Sequence, residues 1–164
     1  MQKRTKQDLH QYLIGHGIEA ELIDLPSEVK TVLQAAEAVG ADEGQIAKSL
    51  LFLAEDRPVL VIALGSGRVD PAIIASFLGI NPGGLILASP NKALEVTGYA
   101  VGTIPPFGHL QDVDTLVDQR MKEISPVYAG GGSPSTLMRM DPEALIEHSR
   151  GRLVDLASSS KGEQ

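Results

Sequence analysis

Two apolar runs separated by a charged turn constrain the fold of this chain more than any other feature. Ile46-Ala47-Lys48-Ser49-Leu50-Leu51-Phe52-Leu53 and Val59–Leu64 flank Glu55-Asp56-Arg57-Pro58. Short apolar runs bounded by turn residues read as strands, and the pair predicts a hairpin. The second run holds no polar residue, which predicts a strand buried on both faces. The first run is interrupted by Lys48. A lysine in such a strand either carries its ammonium to water at the strand end or points it into a cleft.

The 164 residues suffice for one domain whose core needs neither disulfide nor metal, and the 43% hydrophobic and 21% charged content is ordinary for a globular chain. With three Tyr, three Phe and no Trp, an extended aromatic platform for single-stranded nucleic acid is not expected. Cysteine is absent, which removes thiol catalysis and thiolate metal sites and fits a cytoplasmic protein. The basic start, Lys3, Arg4 and Lys6, leads into no apolar signal core. No stretch approaches the roughly 20 apolar residues of a membrane span, so no membrane partner is expected. A net charge of −7 argues against non-specific nucleic-acid binding through the whole surface, though not against a local basic rim.

Helical spacing of Leu9, Tyr12 and Leu13 predicts a first helix over about 6–16, closed by Gly15 and Gly17. Alternation over Ile18–Leu25 predicts a strand. Thr31 caps a second helix through Val39, which Gly40 stops. Asp42 and Gln45 have capping-box spacing and predict one turn before the Lys48 strand. Asp70-Pro71, Ser89-Pro90 and Asp141-Pro142 each set a capping side chain before a proline, predicting helices Ala72–Leu78, Asn91–Thr97 and Glu143–Ser149, ended by Gly79, Gly98 and Gly151. Strand candidates are Leu85–Leu87, Tyr99–Thr103, Val113–Val117, Pro126–Ala129 and Leu137–Met140. The expectation is a single α+β domain over 1–156 with a mostly antiparallel sheet, followed by a flexible polar tail over 157–164.

The histidines, His10, His16, His109 and His148, include no pair spaced one helical turn apart, so no metal site is expected. No Gly-x-Ser-x-Gly elbow supports a serine hydrolase. Gly65-Ser66-Gly67 lies between a strand and a helix, the context of a dinucleotide fingerprint, but Asp70 occupies the third glycine position and would repel a pyrophosphate. A plain turn capped by Asp70 accounts for it.

Two further loops invite a site beside Lys48. In Val101-Gly102-Thr103-Ile104-Pro105-Pro106-Phe107-Gly108-His109, Gly102 can bring bare backbone close to a ligand and Phe107 can anchor the bend. Gly130-Gly131-Gly132 offers consecutive amides for an anion nest. His109 stands as a candidate acid/base or ligand contact at the mouth of such a cleft.

Taken together, Gln45–Phe52, Val101–His109 and Gly130-Gly131-Gly132-Ser133-Pro134 resemble the YbaK/EbsC family of aminoacyl-tRNA deacylases, relatives of the editing domain inserted in bacterial prolyl-tRNA synthetases. The order and spacing match from about Leu13 to Leu145. The resemblance implies a central, mostly antiparallel, partly closed sheet flanked by helices, and hydrolysis of the ester on a mischarged tRNA, for instance a tRNAPro carrying Cys or Ala. It implies Lys48 and Gly102 as catalytic positions, and Thr31, Ser49, Phe107, Gly108, His109, Gly131, Gly132 and Ser135 as substrate-binding ones. Many relatives carry histidine where this chain has Ser135, which bears on the amino acid accepted. No cofactor is implied. The implied partners are the aminoacyl-tRNA 3′ end and a synthetase, and the implied nucleophile is water or a substrate thiol. The alternative is a non-catalytic module of the same fold that holds a small ligand or a synthetase.

Overall fold

A computed structural model describes residues 3–156 of the chain; the predicted tail at 157–164 lies outside the described residues. The hairpin forms as expected. Strands β2 (Ala47–Ala54) and β3 (Arg57–Leu64) pair antiparallel, from Ala47 opposite Leu64 to Ala54 opposite Arg57. Only Glu55 and Asp56 remain for the turn, with φ of 50° and 71°. Two positive φ values are what a two-residue turn matched to the strand twist requires. The turn is therefore tighter than the predicted Glu55–Pro58, and Pro58 enters the ladder opposite Leu53.

Around this hairpin the chain adds, in order, α1 (Lys6–Gly15), β1 (Ala20–Asp24), α2 (Val32–Val39), then after the hairpin α3 (Pro71–Leu78), β4 (Leu85–Leu87), α4 (Pro90–Thr97), β5 (Asp114–Asp118), β6 (Val127–Ser133), β7 (Thr136–Met140), α5 (Pro142–Ser149) and β8 (Arg152–Val154). One sheet has the order β4-β2-β3-β5-β8 and the other β1-β7-β6. All pairings are antiparallel except β3–β5 and β5–β8. A parallel bridge between Ile46 and Tyr128 joins the two sheets at one corner, and they do not close into a barrel.

Strand alternation sorts the core. Ala47 and Leu51, with Leu60, Ile62 and Leu64, pack beneath α1 and against β6 and β7. Phe52 and Ala54, with Val59, Val61 and Ala63, pack against Ile74 and Ala75 of α3. β3 is therefore covered on both faces, as its unbroken apolar sequence predicts. The three Pro-led helices start as predicted: Asp70, Ser89 and Asp141 accept from the amides of Ala72, Lys92 and Ala144.

Three predicted details differ. Tyr99–Thr103 is not a strand, because Thr103 folds back and both its amide and its hydroxyl donate to the Ala100 carbonyl, at 3.0 and 2.8 Å. Helix α5 ends on Arg150, held at φ 57°, rather than on Gly151. The short strand β8 was not expected from its sequence.

The loop after Thr103 crosses β6 at Gly130. A Cβ on Gly130 would collide with the Ile104 carbonyl oxygen, well inside non-bonded contact. Gly130→Ala should therefore destabilise the fold by about 1–3 kcal/mol through backbone displacement, measurable as a lower urea midpoint with an unchanged m-value.

Candidate active site

The edge of β2 defines the site. β4 pairs only with Phe52–Ala54 and β6 bridges only from Tyr128 to Ile46, just before β2, which leaves residues 48–50 without a ladder partner on that side among the described residues. Leu51 turns its carbonyl away from β3 to accept from the Ala88 amide at 2.9 Å. Ser49, two residues earlier, therefore presents its own N–H and C=O on the same open edge. Against this edge lies a cleft of about 480 Å³, walled by α2, by the Ala100–Ile104 loop and by β6. Val29, Val32, Ala35, Leu50, Val101 and Leu137 make it mainly apolar, the usual character of a small-molecule site.

Lys48 lines this cleft. Its ammonium donates to the Gly67 carbonyl oxygen at 2.6 Å. Among the described residues no carboxylate lies within ion-pairing distance of it. Partial burial without a counter-charge holds its pKa below the ordinary lysine value, because desolvation disfavours the charged form. The Gly65–Gly67 turn, which resembled a phosphate loop, thus supplies a carbonyl acceptor to a cation, and Asp70 caps α3 as its position predicted.

Ser49 also lines the cleft, and its hydroxyl is buried without a partner inside the protein. A buried hydroxyl in that state favours a ligand or water that can complete it. Thr31 accepts from the Gln34 amide at 3.0 Å, so it caps α2 and lines the cleft together. Gly102 sits on the opposite lip with φ 90°, and the space where a side chain would project is empty. Lys48, Ser49, Thr31 and Gly102 are therefore brought together.

The other predicted residues are not. Phe107, Gly108 and His109 line a different cleft, because the loop crosses β6 at Gly130 and its two halves face opposite ways. Phe107 is buried there, and His109 sets a ring nitrogen 2.7 Å from the Pro105 carbonyl. Gly131 and Gly132 give way to Gly130 as the glycine of the cleft wall. No nest forms, since the three glycines lie within β6 and the Gly132 amide donates to the Thr103 carbonyl at 3.0 Å. Ser135 lies in the β6–β7 turn outside the cleft, whereas its neighbour Pro134 lines it. Sequence reading missed the walls Val32 and Ala35. Their signal was present, because Thr31 and Ala35 are four apart and share a helix face. The Gly67 carbonyl left no signal, being backbone.

A lysine without a carboxylate partner, a glycine lip and an open strand edge line one apolar cleft, an arrangement able to polarise a small carbonyl compound. Residues 26–148 match the family model described as the aminoacyl-tRNA editing domain. The chain belongs to that family. It is 33% identical over 132 residues to the uncharacterized protein YwhH of Bacillus subtilis (strain 168), covering 80% of this chain and 82% of that one. It is 36% identical over 112 residues to the proline–tRNA ligase of Limosilactobacillus fermentum, of which the match spans 19%. Among solved structures, one described as a candidate trans-editing enzyme for prolyl tRNA synthetase superposes with a TM-score of 0.86 at 32% identity, covering 92% of this chain and 95% of the other.

Two outcomes test the site's electrostatics. Lys48→Met should leave the melting temperature unchanged or slightly raised, since it removes a partly desolvated charge. A loss of several degrees would show that the lysine serves the fold instead. Burial also lowers the His109 pKa. The folded state therefore binds its proton less readily than the unfolded chain, and stability falls as pH drops below the ordinary value of 6.5. His109→Gln should flatten that acid-side decline in thermal midpoint between pH 7 and 5.

Proposed function

We propose that this protein is a trans-editing hydrolase that removes a misattached amino acid from aminoacyl-tRNA, with tRNAPro carrying Ala or Cys as the substrate. The observation that carries the reading is Lys48, without a carboxylate partner, lining the same apolar cleft as Gly102 while its ammonium is held by the Gly67 carbonyl. Membership of the editing-domain family and the likeness to a ligase segment support it. The cleft's apolar side chains suit a small acyl group, and the 3′-terminal ester would lie along the open edge at Ser49.

The chemistry asks little of a protein nucleophile. An aminoacyl ester is activated, so placement and stabilisation of the developing oxyanion carry most of the rate. Lys48 supplies the positive charge near that oxygen, and the backbone around Gly102 borders the carbonyl. The attacking group is water, or the substrate's own thiol where the amino acid is cysteine. No cofactor enters the scheme. A synthetase that delivers the tRNA and a cytoplasmic setting complete the reading. A non-catalytic module of the same fold is the second reading, and a partly desolvated lysine without a carboxylate partner weighs against it.

Deacylation assayed across Ala-tRNAPro, Cys-tRNAPro and Ser-tRNAAla should show turnover of at least one. Lys48→Ala should abolish it with the fold intact. Lys48→Arg should also fail, because a planar fork cannot replace a compact ammonium. Gly102→Ala should cost about 10²-fold or more in rate, a loss comparable to removing one oxyanion donor. Full activity in Lys48→Ala, or no turnover of any substrate, would favour the binding module.

A further inference from the structure

The loop from Thr103 to His109 separates the Lys48 cleft from a larger one of about 810 Å³. Three of the four histidines, His16, His109 and His148, reach this second cleft. Its wall carries a ladder of rings. Tyr12 stacks on His16 with centroids 3.9 Å apart and on Phe107 at 5.8 Å, and His148 meets the Phe107 edge at 6.3 Å. The ladder is held from behind: Phe107 is buried, and a Cβ on Gly108 would meet the Tyr12 ring at 3.1 Å. At its solvent end His16 is exposed, so a further flat ring can add to the stack.

Arg150 stands in the same wall, in the left-handed region at φ 57°. The next residue is Gly151, yet the strained cap falls on the arginine. Strain kept on a non-glycine residue beside a cleft points to a role for its side chain. Stacked rings beside a guanidinium match the chemistry of a nucleotide, a planar base joined to a phosphate. Asp112 and Glu147 also line the cleft. They can accept from base amino groups or ribose hydroxyls, and they disfavour a bare anion.

We propose that this cleft is a nucleotide-binding site, with the base stacked on the His16–Tyr12 ladder and the phosphate met by Arg150. A free mononucleotide and an unpaired nucleotide within an RNA strand share this chemistry. Under the deacylase reading, on which this step alone rests, the RNA strand crosses the Thr103–His109 loop. Its ester then enters the Lys48 cleft while a preceding nucleotide sits at His16.

The test is an NMR titration of the full-length protein with CMP, a CCA trinucleotide and inorganic phosphate. CMP and the trinucleotide should shift the amides of His16, Gly108, His148 and Arg150 saturably, and phosphate alone should not. A trinucleotide that binds about tenfold tighter than CMP identifies an RNA strand as the ligand, and equal affinities identify the free nucleotide. Arg150→Gly is the decisive variant, because it relieves backbone strain and should raise the melting temperature while weakening nucleotide binding about tenfold. His16→Ala should weaken binding similarly. No saturable shift in this cleft, shifts produced equally by phosphate, or unchanged binding in Arg150→Gly would overturn the proposal. For the RNA arm, Arg150→Gly should raise KM for aminoacyl-tRNA and leave hydrolysis of a simple aminoacyl ester unchanged; an unchanged KM overturns that arm. If wild type hydrolyses no aminoacyl-tRNA, the deacylase reading fails, and the titration still decides the nucleotide site.

Discussion

The contact of the Thr103–Ile104 backbone with Gly130 sets the geometry of everything around it. The loop lies so close to β6 that no side chain fits between, and the Gly132 amide pins it from the same strand. One half of the loop then forms the lip of the Lys48 cleft and the other half carries Phe107 into the core beneath α1. Arg4 reinforces the arrangement by donating from its amide to Gly98 and from its guanidinium to Gly108. Both clefts are consequences of one backbone crossing, and a shift there would disturb them together.

The energetic tension sits at Lys48. Desolvation works against its charge, and a single carbonyl offsets this without the strong attraction of a carboxylate. Compare Arg120, which donates to the buried Asp118 at 2.6 Å while Asp118 also accepts from the Leu64 amide. That pair ties the end of β3 to β5 and is committed to the fold. Lys48 has no comparable partner, so its charge stays uncompensated at the cleft it lines. Perturbed, unpaired ionisable groups in clefts are where function concentrates.

Much of this was legible in the sequence because it depends on local rules. The hairpin followed from two apolar runs, and the helix starts from Asp-Pro and Ser-Pro pairs whose caps form as expected. Lys48 and Gly102 stood out as residues out of keeping with their surroundings. What could not be read depends on non-local approach. Tyr99–Thr103 has strand-like residues, yet the side-chain and backbone bonds of Thr103 to Ala100 turn it. Phe107-Gly108-His109 is adjacent to Gly102 in sequence but faces elsewhere, since a loop crossing a strand has two sides and the residue string does not say which side each half takes. The triple glycine suggested an anion nest, whereas close packing of Gly130 against Ile104 and of Gly131 against Thr136 requires glycine there. β8 is three residues long and pairs parallel with β5, a pairing that no local pattern encodes.

The acidic surface becomes intelligible once the cations are placed. Of the predicted basic rim, Lys6 is paired with Asp24 at 2.8 Å and the Arg4 guanidinium donates to the Gly108 carbonyl at 3.4 Å. Arg139 faces Glu21 at 3.8 Å, and Arg152 lies over the Phe77 ring. Lys3, Lys30, Arg68 and Lys122 are exposed and outside the ion pairs of the described residues, but they stand on a surface whose net charge is −7, so affinity for duplex RNA from phosphate contacts should be weak. Under the two proposals, recognition concentrates at Lys48 in one cleft and at Arg150 beside stacked rings in the other. For the proposed hydrolase of misacylated tRNA, weak contacts to phosphate have a physical advantage. On that proposal, weak general binding would leave correctly charged tRNA free, and discrimination would fall to the fit of the acyl group against α2 and the Gly102 lip.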